Sequence, residues 1–284
     1  MASSRASALN LYFANAIARE LAKSHPGRYL LTFYAFWGTH DGPFPPMKAE
    51  PGVCVTQLNE GNHTQPWDRP ERPDISQIID RNNRRERIAF DDWKKTGAIM
   101  SVREWWIPAC DHPQWQRAPW YSGETALRNL RYWFSHGVRH VSYQTGMEKG
   151  TGFPLRWPLY YTGARGLWDP EVTSRKIMQE ACAKLYGPAS AAMCNYYATI
   201  EQAMADSDLL AKSWRLPSPE LIYTPEIEKK ATGYLDSARA IPVDGAAGER
   251  IRQERALWDD ACALLAKLRA KPEGAQPSKA NPGM

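Results

Sequence analysis

The chain has 284 residues, 43% of them hydrophobic and 24% charged, enough to bury a large core in one or two domains. Its formal charge of +5 is small and scattered. The basic runs Arg81-Asn82-Asn83-Arg84-Arg85 and Lys94-Lys95 read as solvated helix faces, so no nucleic-acid partner is expected. No apolar run approaches the roughly 20 residues of a membrane helix, so no membrane partner is expected either.

The first predicted element is a helix over about Ser7 to Ser24, in which Leu9, Tyr12, Phe13, Ala16, Ile17 and Leu21 fall on one face. Pro26-Gly27 stops it. Tyr29 to Trp37 is a strand-like run, rich in aromatic and β-branched residues, that opens onto Gly38-Thr39-His40-Asp41. After the proline-rich loop Gly42 to Pro46, Val53 to Glu60 reads as a second strand, opening onto Gly61-Asn62-His63. The connection from Gly61 to Asp74 holds His63 and Trp67 and is too long for a plain βα turn, the kind of loop that is functional or disordered. A helix over about Ile75 to Lys95 leads to a third strand, Ile99 to Trp106, which ends in Glu104-Trp105-Trp106.

Another long loop, Ile107 to Tyr121, carries Asp111, His112, Trp115 and Trp120. Ser122 reads as an N-cap with Glu124 in the first turn of a helix whose buried face is Leu127, Leu130 and Phe134. His136-Gly137 ends it, and Val138 to Gln144 forms a fourth strand. Helix alternating with strand is the pattern of a βα-type parallel sheet.

Beyond Trp157 no strand is evident. Helices are predicted at about Pro158–Leu167, Glu171–Leu185, Ala189–Ser207, Glu226–Ala240 and Gly248–Lys271. Met193, Tyr196, Tyr197, Ile200 and Met204 share one face, and Leu257, Ala261, Leu264, Leu265 and Leu268 another, stripes that belong in a core. The reading is a partial (β/α) barrel over residues 1–168, an all-helical domain over 169–271 and a disordered tail over 272–284.

Five cysteines, Cys54, Cys110, Cys182, Cys194 and Cys262, are scattered without CxxC or Cys/His spacing, which points to buried free thiols rather than a disulfide framework. The amino terminus lacks the apolar core of a secretory signal, so localisation stays open. No HxH or HExxH spacing is present, and neither a metal nor another cofactor is expected.

Gly163-Ala164-Arg165-Gly166-Leu167-Trp168-Asp169-Pro170-Glu171-Val172, followed by Lys184-Leu185-Tyr186-Gly187-Pro188-Ala189, resembles the closing section of the bacterial family called domain of unknown function 4838. In physical terms Asp169 can cap a helix started by Pro170, and Gly187-Pro188 can end one helix and open the next. Upstream, Tyr12 to Ala18, His25-Pro26, the Leu31–Trp37 strand and Gly137-Val138 resemble the family's barrel segment, so the likeness covers roughly residues 7 to 205. It implies a barrel akin to α-glucuronidase and hexosaminidase-type glycoside hydrolases, usually in secreted proteins of polysaccharide-degrading species. It further implies that these four strands are the second half of an eight-stranded barrel, so that the chain begins midway through the domain. Half a barrel leaves two open edges, to be met by a missing N-terminal half or by a second copy as a homodimer.

Glycoside hydrolysis commonly uses two carboxyl groups about 5 Å apart for retention and wider for inversion. The strand-end candidates are Glu104 and Glu60, with Asp41 and Asp111 in loops. Glu104 equally suits an ion pair with Arg103, and Glu60 before Gly61 equally suits a solvated turn. By resemblance Glu104 ends the seventh barrel strand, and Tyr143-Gln144 stands where relatives often carry a glutamate. Gln144 cannot shuttle a proton. Trp37, Trp105, Trp106, Trp115 and Trp120, with His40, Asp41, His63, Asp111, Tyr143 and Gln144, complete the expected sugar-facing set; the opposing reading has the tryptophans plugging a barrel mouth. The function expected is a carbohydrate-active protein of glycoside hydrolase type, and the alternative a non-catalytic sugar-binding or structural remnant.

Overall fold

The structure is a computed structural model that describes residues 2–69, 77–105, 112–143, 153–212, 216–243 and 245–270. Trp106, Asp111, Gln144 and the tail from Pro272 lie outside the described residues. In chain order the elements are α1 (Ala2–Ser24), β1 (Leu31–Ala35), β2 (Val53–Leu58), α2 (Gln77–Lys94), β3 (Ile99–Glu104), α3 (Gly123–Ser135) and β4 (His140–Tyr143). The remaining elements are helical: α4 (Trp157–Trp168), α5 (Ser174–Tyr186), α6 (Ser190–Asp206), α7 (Pro225–Ala240) and α8 (Gly245–Arg269). None of the helices among the described residues is long and apolar enough to cross a membrane.

The four strands form one parallel sheet in the order β1-β2-β3-β4, with Val55 opposite Phe33 and Met100, and Glu104 opposite Tyr143. The central strand β2 is buried at every position, as expected for a parallel strand flanked on both sides. The helix–strand alternation expected from the sequence breaks once. Between β1 and β2 the chain makes only a single 3-10 turn at Trp37–Thr39 and then an irregular crossover. Pro43, Pro45 and Pro46 lack the amide donors a helix needs there.

Register decides which side chains meet the helices. Strand residues alternate between faces, and Phe33, Val55, Met100 and Val102 join Leu11 of α1, Phe90 and Trp93 of α2, and Leu127 and Trp133 of α3 in one core. Gln57 and Glu104 share that helix-covered face. The opposite face carries Thr32, Tyr34, Thr56, Ser101, Arg103 and Ser142, and it is exposed at Thr32, Tyr34, His140 and Ser142.

The buried face of α1 is not the one its large apolar residues suggest. Ser7, Leu11, Ala14, Asn15 and Ala18 are buried, whereas Leu9, Tyr12 and Phe13 are 68%, 62% and 65% exposed. Two alanines allow close approach to the sheet. Asn15 also ties the helix to the crossover, donating to Lys48 O at 2.8 Å and accepting from Glu50 N at 2.8 Å.

A second core joins Trp115, Trp120 and Tyr121 of the loop after β3 to α4–α8 through Tyr196, Tyr197, Tyr223 and Trp258. The whole stripe expected in α6 lies in it, with Ala261 and Leu265 of the α8 stripe; Leu264 and Leu268 are buried outside it and Leu257 is half-buried. α3 contributes Ala126 to this core and Leu127 and Leu130 to the other. It crosses α4 closely, since a Cβ on Gly166 would stand 2.2 Å from Leu127 Cδ2. Phe134, expected on a buried face, is on the surface, where Trp133 takes the inward position, and Trp168 in the last turn of α4 is 91% exposed.

The helix caps also differ from expectation. α5 starts at Ser174, with Thr173 Oγ1 accepting from Lys176 N at 3.3 Å, while Asp169 accepts from Glu171 N in the turn before it. Ser122 stands at the N-cap of α3 but makes no side-chain cap bond. Its place is taken by Glu201 of α6, which accepts from Glu124 N at 2.7 Å and from Ser174 Oγ at 3.2 Å. Burial pushes the Glu201 carboxyl up to about 7, against the pull of those donors. A raised carboxyl binds its proton more tightly in the folded chain, so this contribution is complete below the ordinary value of 4.5 and lost as pH rises through about 7. Thermal unfolding of wild type and Glu201→Gln should therefore show the variant gaining relative stability between pH 5 and pH 8, by at most about 3 kcal/mol. A difference that does not change with pH would refute this.

Candidate functional site

The carboxyl ends of β2 and β3 are joined by one buried asparagine. Asn59 follows β2, its amide donating to Arg103 O at 3.0 Å, so the ladder runs one residue beyond the strand. On the helix-covered face its Nδ2 donates to Glu104 Oε2 at 2.7 Å. Its Oδ1 accepts from Gly61 N at 3.0 Å and Trp67 Nε1 at 3.1 Å. Gly61 is required here, because a Cβ would lie 2.5 Å from Asn83 Oδ1.

The segment from Asn59 to Trp67 is buried almost throughout, so the long connection after β2 is a packed wedge rather than an open loop. Its backbone groups are met by side chains, as burial demands. Asn62 N donates to Asn83 Oδ1 at 2.8 Å, Asn83 Nδ2 to Gln65 O at 3.0 Å, Trp67 N to Asn129 Oδ1 at 2.8 Å, and Thr125 Oγ1 to Thr64 O at 3.1 Å. His63 N donates to Ala211 O at 2.8 Å, linking the wedge to the segment after α6.

Glu104 is 3% exposed. Its Oε1 lies 3.4 Å from His63 Nδ1 and accepts no hydrogen bond among the described residues. With His63, Trp105, Ser122, Thr125 and Asn129 it lines a cavity of about 10 Å³, too small for a sugar. Tyr143, opposite Glu104 in the ladder, is half-buried with its hydroxyl enclosed, and desolvation together with the Glu104 charge raises its phenol well above the ordinary value.

Glu60, the next residue after Asn59, is half-buried. Burial raises its carboxyl above the ordinary value and Glu86 adds to the rise, while His63, Lys212 and His40 offset part of it. Its Oε1 is buried and without a hydrogen-bond partner among the described residues. It does not sit in a solvated turn.

His40 and Asp41 belong to a third group. His40 Nε2 lies 3.0 Å from both Glu86 oxygens and Nδ1 3.2 Å from Asp41 Oδ1. Burial alone would lower this imidazole, but Glu86 and Asp41 raise it above the ordinary value. Gln57 Nε2 donates to Glu86 O at 3.1 Å.

On the other face Arg103 reaches Tyr34. Its Nη1 donates to the Tyr34 hydroxyl at 3.0 Å, and its guanidinium lies over the rings of Tyr34 and Trp105 at 5.7 Å and 5.9 Å. Arg103 thus faces the aromatic surface, and Glu104 does not pair with it. Trp37, exposed just past β1, holds a left-handed backbone at φ 46°, unusual for an aromatic residue. Trp120 is no sugar platform: it is 1% exposed and packs edge-on to Trp115 at 4.8 Å, whose Nε1 donates to Pro217 O. His112 is the loop histidine that the described residues retain, and burial lowers it.

The strands thus bring Glu60, Glu104, His63 and Tyr143 together, set His40 and Asp41 against Glu86, and leave Trp105 with Arg103 and Tyr34. Asn59, Asn83, Glu86 and Asn129 were missed by sequence reasoning. A signal existed in α2, where Asn83, Glu86, Phe90 and Trp93 keep helical spacing, so two polar residues extend an apolar stripe. No group of three or more His, Cys, Asp or Glu side chains among the described residues is placed to hold a metal ion.

Residues 1–199 match the sequence model of the family described as Domain of unknown function (DUF4838). No curated protein matches the chain. Among solved structures it is similar to a GH138 enzyme targeting pectin rhamnogalacturonan II, at 10% identity and a TM-score of 0.47. That alignment covers 90% of this chain and 42% of the enzyme, so the chain spans less than half the enzyme's length.

Asn59→Ala should cost about 3 kcal/mol in urea unfolding, because Glu104, Trp67 and Gly61 each lose a buried partner. Asn59→Asp, which sets a second carboxylate against Glu104, should be worse at pH 7 and recover in part at pH 5. If the aspartate variant has equal stability at both pH values, the buried contact with Glu104 is wrong.

Proposed function

This chain belongs to the DUF4838 family, and on that premise we propose that it is a carbohydrate-active protein of the glycoside hydrolase type. The observation that carries the reading is the surface built on Arg103, whose guanidinium lies over Tyr34 and Trp105 at the carboxyl ends of the strands. Aromatic rings stack on the C–H faces of a sugar, and guanidinium and phenol groups bind its hydroxyls. Trp37 is exposed just past the end of β1, the strand that carries Tyr34.

In this reading Glu60 is the proton donor. Its burial and the nearby Glu86 carboxylate keep the protonated form present at higher pH than in an ordinary carboxyl, the condition a general acid needs. Glu104, the stronger candidate from sequence, is turned to the helices and tied to Asn59, and it acts by fixing the β2–β3 end. That burial also favours a second reading, sugar binding without turnover, since the usual hydrolysis needs two carboxyl groups at the bond.

A panel of 4-nitrophenyl glycosides and uronic-acid oligosaccharides separates the readings. Glu60→Gln should lower kcat at least ~100-fold with KM little changed. The wild-type rate should fall on the alkaline side at a higher pH than an ordinary carboxyl would give. Trp105→Ala should instead raise KM. No turnover, but oligosaccharide binding that Trp105→Ala weakens, would establish the binding-only reading.

We further propose that the sheet is part of a (β/α) barrel whose next βα unit packs on the open edge of β1. Parallel sheets are normally covered on both faces, and here the edge strand β1 exposes Thr32 and Tyr34 while α1 exposes Leu9, Tyr12 and Phe13. Sedimentation of the 284-residue chain should show polydisperse self-association, and joint replacement of those three residues by serine should abolish it without lowering Tm. A discrete dimer would assign the surface to a second copy instead.

A further inference from the structure

The 3-10 turn Trp37–Thr39 runs into His40, whose ring stands between two carboxyl groups. Nε2 lies 3.0 Å from both oxygens of Glu86, and Nδ1 lies 3.2 Å from Asp41 Oδ1. A neutral imidazole has one N–H and one lone pair, so it would donate to one of these groups and turn its lone pair on the other. Both carboxyl groups face further donors as well, as ionised acceptors do: Glu86 Oε2 accepts from Gln57 Nε2 at 3.3 Å, and Asp41 Oδ1 lies 3.6 Å from Arg85 Nη2. The arrangement is satisfied when the ring is an imidazolium that donates from both nitrogens.

We propose that His40 is a pH-operated latch: its imidazolium clamps the turn at residues 37–41 onto Glu86 of α2, and loss of one ring proton as pH rises frees that turn. The other bonds at this point set what the latch holds. Trp93 Nε1 of α2 donates to His40 O at 3.0 Å, and His40 N closes the turn by donating to Trp37 O at 3.2 Å. From α1, Ser7 Oγ donates to Asp41 O at 2.5 Å, and Ser3 Oγ accepts from Asp41 N at 3.3 Å. None of these four bonds titrates near neutral pH, whereas those of the ring do. Trp37, exposed and held at φ 46°, sits in the turn that the latch fixes.

Among the described residues the charged groups that face the ring are Glu86 and Arg85 of α2, Asp41 beside it in the chain and Glu60 just past β2. The side chains of His40 and Glu86 are 4% and 3% exposed, so water and salt screen the pair little. Burial opposes the charged ring, but Glu86 and Asp41 outweigh both burial and Arg85, and the imidazole is raised above 6.5. A raised imidazole binds its proton more tightly in the folded chain than in the unfolded one. Its contribution is therefore complete below about 6.5 and lost as pH climbs through the folded value.

Long-range proton–nitrogen NMR spectra of the folded protein, with the His40 ring assigned through its backbone, read the protonation state directly. Both ring nitrogens should carry protons at low pH, with a midpoint above 6.5. Amide exchange at residues 37–41, corrected for its intrinsic pH dependence, should show the turn opening more often above that midpoint, by about tenfold for each unit by which the midpoint exceeds the ordinary value. Glu86→Gln should lower the midpoint by about one unit or more and abolish the rise in opening. A midpoint at or below 6.5, or opening that does not follow the ring's titration, overturns the proposal, and both are read in the wild-type protein without recourse to the variant.

Discussion

The geometry around the carboxyl ends of β2 and β3 depends on how a buried, irregular segment satisfies its own backbone. Residues 61–67 form neither helix nor strand, yet they lie inside the protein, where each unmet amide or carbonyl would cost on the order of 1–3 kcal/mol. Asparagine provides the answer repeatedly, because its side chain offers a donor and an acceptor at once. Asn59 uses both ends, tying strand end, turn and Glu104 to a single side chain. Asn83 and Asn129 anchor the same segment from α2 and α3.

This wedge couples the sheet to the helical region. His63 and Gln65 bond backbone carbonyls at or beyond the end of α6, and Glu201 of α6 holds the first turn of α3. Helix α3 in turn presents Thr125 and Asn129 to the wedge and Leu127 to the sheet core. A change at the α5–α6 hairpin can therefore reach Glu104 through rigid, hydrogen-bonded elements, with no flexible loop between. The same rigidity keeps Glu104 enclosed.

Much of the fold was legible in the sequence because each element carries a periodic apolar signal. The four strands and the helices of the carboxyl-terminal half follow from it, and the α6 stripe is buried as its spacing requires. The misreadings share one cause, a reliance on residue size where local hydrogen bonding or crowding decides. In α1 the large Leu9, Tyr12 and Phe13 were assigned inward, but Ala14 and Ala18 permit the close approach and Asn15 fixes the rotation. At α3 the sequence offers a serine cap, yet a carboxylate remote in sequence fills the position, which no local pattern can reveal. Trp120 was given to the site for its loop position, whereas the helical core claims it.

The residues at the carboxyl ends of the strands were legible in the sequence, but their directions were not. In a strand of period two, neighbouring residues face opposite ways, so Arg103 and Glu104 cannot serve one surface. Which of them faces the helices is settled by pairing with β2: Val102 and Glu104 fall on the face of Val55 and Gln57, under α2, and Arg103 falls on that of Thr56. A one-residue slip would have exchanged them. Register therefore turns the most conspicuous carboxylate of the chain inward to hold a turn, and leaves the aromatic surface of Tyr34 and Trp105 to the arginine beside it. At Glu60 the chain leaves the strand and alternation no longer dictates direction, so its carboxyl comes to stand among His63, Glu86 and His40, raised by burial.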